Sequence, residues 1–81
     1  MSNTDLFTVS ALWDDEAGVW VAESVDVPGL VTKAPTFERL VAKLKIMIPE
    51  LLELNGGPRT REEIVFRVRA ERIARVMQPA A

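Results

Sequence analysis

The chain has 81 residues and contains neither cysteine nor histidine. Without cysteine it has no disulfide to staple a small core, and without either residue it lacks the usual sulfur and nitrogen ligands of zinc. Carboxylates are then the only strong metal donors. Nucleophilic machinery of the Ser-His or Cys-His kind is excluded for the same reason. No apolar run approaches the roughly 20 residues of a membrane span. Met1–Asp5 has neither the basic nor the apolar segment of a secretory signal. A soluble, cytoplasmic protein is expected, and absence of cysteine suits a reducing compartment. Gly56-Gly57 opens no helix and carries no Lys-Ser/Thr, so a phosphate-cradling loop is also missing.

Bases are missing from one half of the chain. Residues 1–32 carry six acids and no Lys or Arg, whereas residues 33–81 carry ten bases against six acids, for an overall charge of −2. That balance argues against general nucleic-acid binding. The asymmetry leaves one acidic and one mildly basic region, able to steer a charged partner. A domain this small buries only about 60–65% of its unfolded surface. Self-association is a common remedy where disulfides and metals are lacking, so a homodimer is the expected state.

What is present reads as a single α+β domain over residues 1–81, with its ordered core at about 6–76. Phe7–Trp13 alternates, Phe7, Val9, Ala11 and Trp13 on one face and Thr8 and Ser10 on the other, the period of a half-buried strand. Asp14–Gly18 is turn chemistry, and Val19–Ser24 is a second strand, completing an antiparallel hairpin with a five- or six-residue loop. Val27-Pro28-Gly29 predicts a type II corner, followed by a short third strand, Leu30–Lys33. Thr36 is a good helix N-cap and Glu38 suits the first turn.

From Phe37 to about Leu54, an apolar stripe of Phe37, Leu40, Val41, Leu44, Met47, Ile48, Leu51, Leu52 and Leu54 falls within about 160° at ~100° per residue. Pro49 lies on the polar side and predicts a bend instead of a break. Ile46 points away from the stripe and, with Ala42 and Pro49, outlines a small outward patch. Asn55-Gly56-Gly57-Pro58 ends the helix. A loop over 60–63 precedes a fourth strand, Ile64–Glu71, with Ile64, Phe66, Val68 and Ala70 inward. Arg72–Met77 reads as a continuation of that strand in preference to a short helical tail, and the last four residues as frayed.

The acid run Asp14-Asp15-Glu16 lacks the spaced ligands and glycine of a calcium loop and reads as a turn. Arg67 and Arg69, with Arg61 and Arg72 nearby, share the strand face opposite the apolar one. Their same-face neighbours Val65 and Glu71 are not the aromatics that an RNA-binding sheet interleaves with its bases. Trp13 and Trp20 flank the hairpin turn and suit cross-strand packing.

At Trp13-Asp-Asp-Glu-Ala-Gly-Val-Trp-Val-Ala-Glu-Ser-Val-Asp-Val-Pro-Gly-Leu-Val-Thr, followed by Ala34-Pro-Thr-Phe-Glu-Arg-Leu, the chain resembles the HicB-like antitoxin superfamily. It is most similar to a branch of short single-domain bacterial proteins, over roughly residues 6–72. The resemblance implies a partial ribonuclease-H-like β-β-β-α-β unit, with one long helix packed on a four-stranded mixed sheet and the last strand parallel to the first. It also implies self-association and a HicA-like toxin as partner. Two features depart from it. Nothing after Arg72 is long enough for the DNA-binding module of full antitoxins, so no direct DNA binding is expected. Strands Phe7–Trp13 and Ile64–Ala70 carry none of the acids that ribonuclease H chemistry needs.

The sequence thus points to a non-enzymatic, antitoxin-like protein-binding module without cofactor or metal. The alternative is a stand-alone small-ligand or regulatory domain. A helix on one sheet side leaves the other side open, with Thr8, Ser10, Leu12, Val65, Arg67 and Arg69 on it. Hairpin register decides whether Val19 and Val21 or Trp20 and Ala22 join them; Glu23 favours Val19 and Val21. Leu12, Val19, Val21, Val65, Arg67 and Arg69 are therefore the candidate partner or dimer contacts, with the edge of the last strand as a second route to a dimer.

Overall fold

The computed structural model describes residues 6–56 and 63–80. Its elements are β1 (Leu6–Asp14), β2 (Val19–Glu23), β3 (Val31–Ala34), α1 (Phe37–Leu54) and β4 (Val65–Glu71). They form an α+β unit in which one helix packs on a four-stranded sheet of order β3-β2-β1-β4. β1 pairs antiparallel with β2, β2 antiparallel with β3, and β1 parallel with β4. The β-β-β-α-β order with a parallel return strand agrees with the sequence reading. The parallel pair needs a crossover, which the helix supplies.

Local chemistry explains the joints. Asp14 Oδ1 accepts from the backbone N–H groups of Glu16 and Ala17, while Gly18 donates to the Asp14 carbonyl at 2.8 Å. Gly18 takes φ +66°, a conformation open to residues without a side chain. Asp14 belongs to the strand, so the loop is four residues (15–18), shorter than the alternation suggested. At the corner, Leu30 N–H donates to the Val27 carbonyl and Gly29 has φ +85°, the third-position geometry of a type II turn. Leu30 belongs to that corner and is fully buried; the third strand starts one residue later than expected.

Just before the corner, the Ser24 hydroxyl donates to the Thr8 carbonyl at 2.7 Å, and Thr8 N–H donates to Asp26 Oδ2 at 2.8 Å. Two side chains thereby satisfy both backbone groups of Thr8 where β2 has ended, as buried or half-buried strand groups require.

Thr36 caps α1 by accepting from Arg39 N–H at 3.1 Å. The helix runs without interruption through Pro49, which faces solvent. Its buried line is Leu40, Leu44, Ile48 and Leu52, at steps of four, with Phe37, Val41, Met47 and Leu51 half-buried beside it. These pack on Val9, Ala11, Ala22, Val27, Leu30 and Ala34. Each large side chain fully buried here contributes roughly 1.5–3 kcal/mol. Gly56 at φ +76° ends the helix. Asn55 Nδ2 donates both to the Leu51 carbonyl (2.8 Å) and to the Pro28 carbonyl (3.2 Å), tying the helix end to the Pro-Gly corner. Gly57 and Pro58 and the loop at 60–62 lie outside the described residues.

Three expectations need correction. Leu54 is solvent-exposed, not part of the stripe, because it lies beyond the last residue the sheet covers. α1 lies over β3 and β2, so β4 at the far side of the sheet is only partly covered. Phe66 and Val68 are accordingly half-buried, and Ala70 is exposed where an inward position was expected. Finally, Arg72–Met77 forms neither strand nor helix. β4 is an edge strand whose ladder with β1 ends at Leu12↔Glu71, and β1 itself ends two residues later at Asp14, so residues beyond Ile73 have no strand beside them to pair with.

Candidate interaction face

The sheet face opposite α1 is assembled by register. Ser10 stands across from Glu23, Leu12 from Val21 and Asp14 from Val19, so Val19 and Val21 share the side of Leu12 while Trp20 and Ala22 face the helix. On the other flank Leu6 stands across from Val65, Thr8 from Arg67, Ser10 from Arg69 and Leu12 from Glu71. β3 adds Val31 beside Glu23 and Lys33 beside Val21.

Rows therefore cross the sheet at right angles to the strands. One reads Glu71–Leu12–Val21–Lys33, an apolar pair between opposite charges. Its neighbour reads Arg69–Ser10–Glu23–Val31, in which acid and base have changed sides. These two rows line a shallow depression of about 600 Å³ bounded by Ser10, Leu12, Val21, Glu23, Arg69 and Glu71. The Arg67 side chain is held to the sheet, its Nε donating to Thr8 Oγ1 at 2.9 Å.

All six candidate contacts lie on this face. Leu12 and Val21 stand directly across the hairpin from each other, and Arg67 and Arg69 flank β1. Val19 and Val65 are not brought together: they sit at opposite ends of β1, about 26 Å apart at ~3.3 Å per residue. Leu12, Val65, Arg67 and Arg69 are exposed; Val19 and Val21 are half-buried. Arg61 lies outside the described residues. The patch of Ala42, Ile46 and Pro49 is exposed on the helix, as its position on the wheel implied.

Sequence reasoning did not anticipate Lys33 as the far end of a row, because nothing local specifies β2–β3 register. It also missed a groove on the helix side of the sheet, lined by Phe37, Val41, Ile64, Phe66 and Val68 with Lys45 and Glu63 at its rim. Its signal was an apolar set on β4 wider than one helix can cover.

At the hairpin end, Trp13 and Trp20 meet edge to face with centroids 5.4 Å apart, and Trp20 meets Phe37 at 5.7 Å. The Arg72 guanidinium lies 4.4 Å over the Trp13 ring, a cation–π contact. Trp13 Nε1 donates to Asp15 Oδ1 at 3.1 Å, so the acid run is occupied with turn bonds. Among the described residues no three acidic side chains gather as a metal-holding group, and no helix is long and apolar enough to cross a membrane.

A one-helix, four-stranded α+β sheet with an uncovered amphipathic face defines the class of this protein. The chain belongs to the family described as a domain of unknown function (DUF1902), whose model matches residues 6–79. It is similar to the crystal structure of hypothetical protein TTHA1013 from the extremely thermophilic bacterium Thermus thermophilus, at 51% identity over 91% of this chain and 100% of that one, with a TM-score of 0.67. No curated protein matches it.

Proposed function

We propose that this protein is a non-enzymatic protein-binding module, antitoxin-like in the HicB-like sense, that self-associates and presents the open sheet face to a protein partner. The observation that carries the reading is the row Glu71–Leu12–Val21–Lys33, an apolar pair flanked by opposite charges, with Arg69 and Glu23 in the row beside it. Apolar centres ringed by opposed charges suit a protein surface, since the centre supplies burial while the rim sets orientation. A HicA-like toxin, a small basic protein, is the partner class to which the resemblance points.

Capture with the tagged chain, co-expressed with its genomic neighbours, tests this. Retention of a small basic protein, lost on Leu12→Asp, supports the reading; a partner retained equally by Leu12→Asp counts against the face. The depression of about 600 Å³ beside Arg69 favours a second reading, a small-ligand or regulatory domain. Thermal-shift screening of metabolites distinguishes the two, because only the second predicts stabilisation by a small molecule.

A further inference from the structure

Beyond Arg72, which stacks on Trp13, the segment after β4 is an arm with exposed apolar side chains. Ile73, Val76 and Met77 are 74%, 93% and 89% exposed. Residues 72–80 belong to no helix or strand. Fully extended, nine residues reach about 30 Å. The chain's longest dimension is 61 Å, against about 27 Å for the 18 residues of α1. Its radius of gyration is 16.0 Å, where a compact chain of this length has about 12 Å. The accessible surface is 6706 Å², roughly 1,800 Å² more than expected for a compact monomer of this mass. The bare arm contributes to that excess, which is larger than the roughly 800 Å² that each partner buries in a standard interface.

The same molecule carries an unfilled apolar groove. Phe37 and Val41 of α1 and Ile64, Phe66 and Val68 of β4 line about 560 Å³ on the helix side of the edge strand. The arm does not reach its own groove directly. It leaves β4 at Glu71, beside Leu12, whereas the β4 side of the groove is Ile64 to Val68, toward the other end of the strand. Stacking of Arg72 on Trp13 carries the chain onward past the hairpin instead of back.

A second copy resolves both features, in a step that rests on the self-association proposed above. Two β4 edges related by a two-fold axis run antiparallel, so each arm arrives at the Ile64 end of the other copy's groove. The rim carries Glu63 as well as Lys45, and Glu63 offers a carboxylate to Arg75 of the arm, Arg72 being stacked on Trp13. We infer that residues 72–80 are an exchange arm, which places Ile73, Val76 and Met77 in the α1–β4 groove of a second copy of this chain. Dimerisation then uses the edge and helix side of β4 and leaves the opposite sheet face free for a different partner.

The test has two arms, both on the full chain. Ile73→Ser/Val76→Ser/Met77→Ser alters only exposed side chains, so the fold persists, and sedimentation should show the dimer dissociation constant raised roughly 100-fold or more, as loss of three buried apolar side chains requires. Because the chain has no native cysteine, Val76→Cys and Val41→Cys chains can be mixed and treated with a short bismaleimide. A crosslinked heterodimer is expected, and none with Val25→Cys in place of Val41→Cys. A wild-type dimer unaffected by the serines, or crosslinking equal at both positions, overturns the arm and leaves self-association standing. A wild-type monomer at micromolar concentrations overturns both.

Discussion

Leu44 and Leu54 are the same residue type on the same helix, ten positions apart, and truncating each to alanine should give very different results. Leu44 is fully buried and Leu54 is 81% exposed. Leu44→Ala removes the transfer energy of the lost atoms and leaves a cavity between helix and sheet, at about 3–5 kcal/mol. An 81-residue domain has only about 4–12 kcal/mol of stability in total. Its unfolding entropy is about 170 cal/mol/K, so a loss of 3 kcal/mol lowers Tm by roughly 18 °C. Leu54→Ala removes little that is shielded from water and should stay within about 0.5 kcal/mol, or some 3 °C. Far-UV circular dichroism during heating and urea titration, at one fixed protein concentration, measures both. Comparable losses for the two variants would refute the placement of α1 on the sheet.

Three other substitutions probe the joints. Gly29→Ala introduces a Cβ 3.6 Å from Leu51 Cδ2, an ordinary contact, but at φ +85°; the strain alone should cost about 1–2 kcal/mol by urea unfolding. Ser24→Ala leaves the Thr8 carbonyl without its donor and the Asp26 and Val27 N–H groups without their acceptor, which should cost about 1–3 kcal/mol in the same assay. Arg72→Ala removes the cation over Trp13; a loss of about 0.5–1 kcal/mol with a shift in tryptophan emission is expected, and unchanged emission would contradict the stacking.

Legibility of the fold tracked how local each signal was. The hairpin register was readable because Glu23, in alternation with Val19 and Val21, selects the solvent side, and a one-residue slip would bury it. The Pro28-Gly29 corner and the Thr36 cap were readable from turn and cap chemistry confined to a few residues. Leu54 was misread because a helical wheel reports angle and not where the sheet beneath it ends. Ala70 was misread because alternation along β4 does not reveal which strands the helix covers. Arg72–Met77 reads in sequence as a continuation of β4, but a strand needs a neighbour, and β1 ends at Asp14, two residues past the partner of Glu71.

The candidate face was legible in outline and not in pattern. Residue alternation alone placed Leu12, Arg67 and Arg69 together. The crossing rows that put Lys33 and Glu71 at either end of Leu12–Val21 arise from two strand registers that no local motif encodes.

The measurement that bears most directly on self-association is the mass of the intact chain in solution by sedimentation equilibrium. One chain is 9.0 kDa, and a species of twice that mass is predicted at micromolar concentration. A single species at the mass of one chain across the whole accessible range would contradict it.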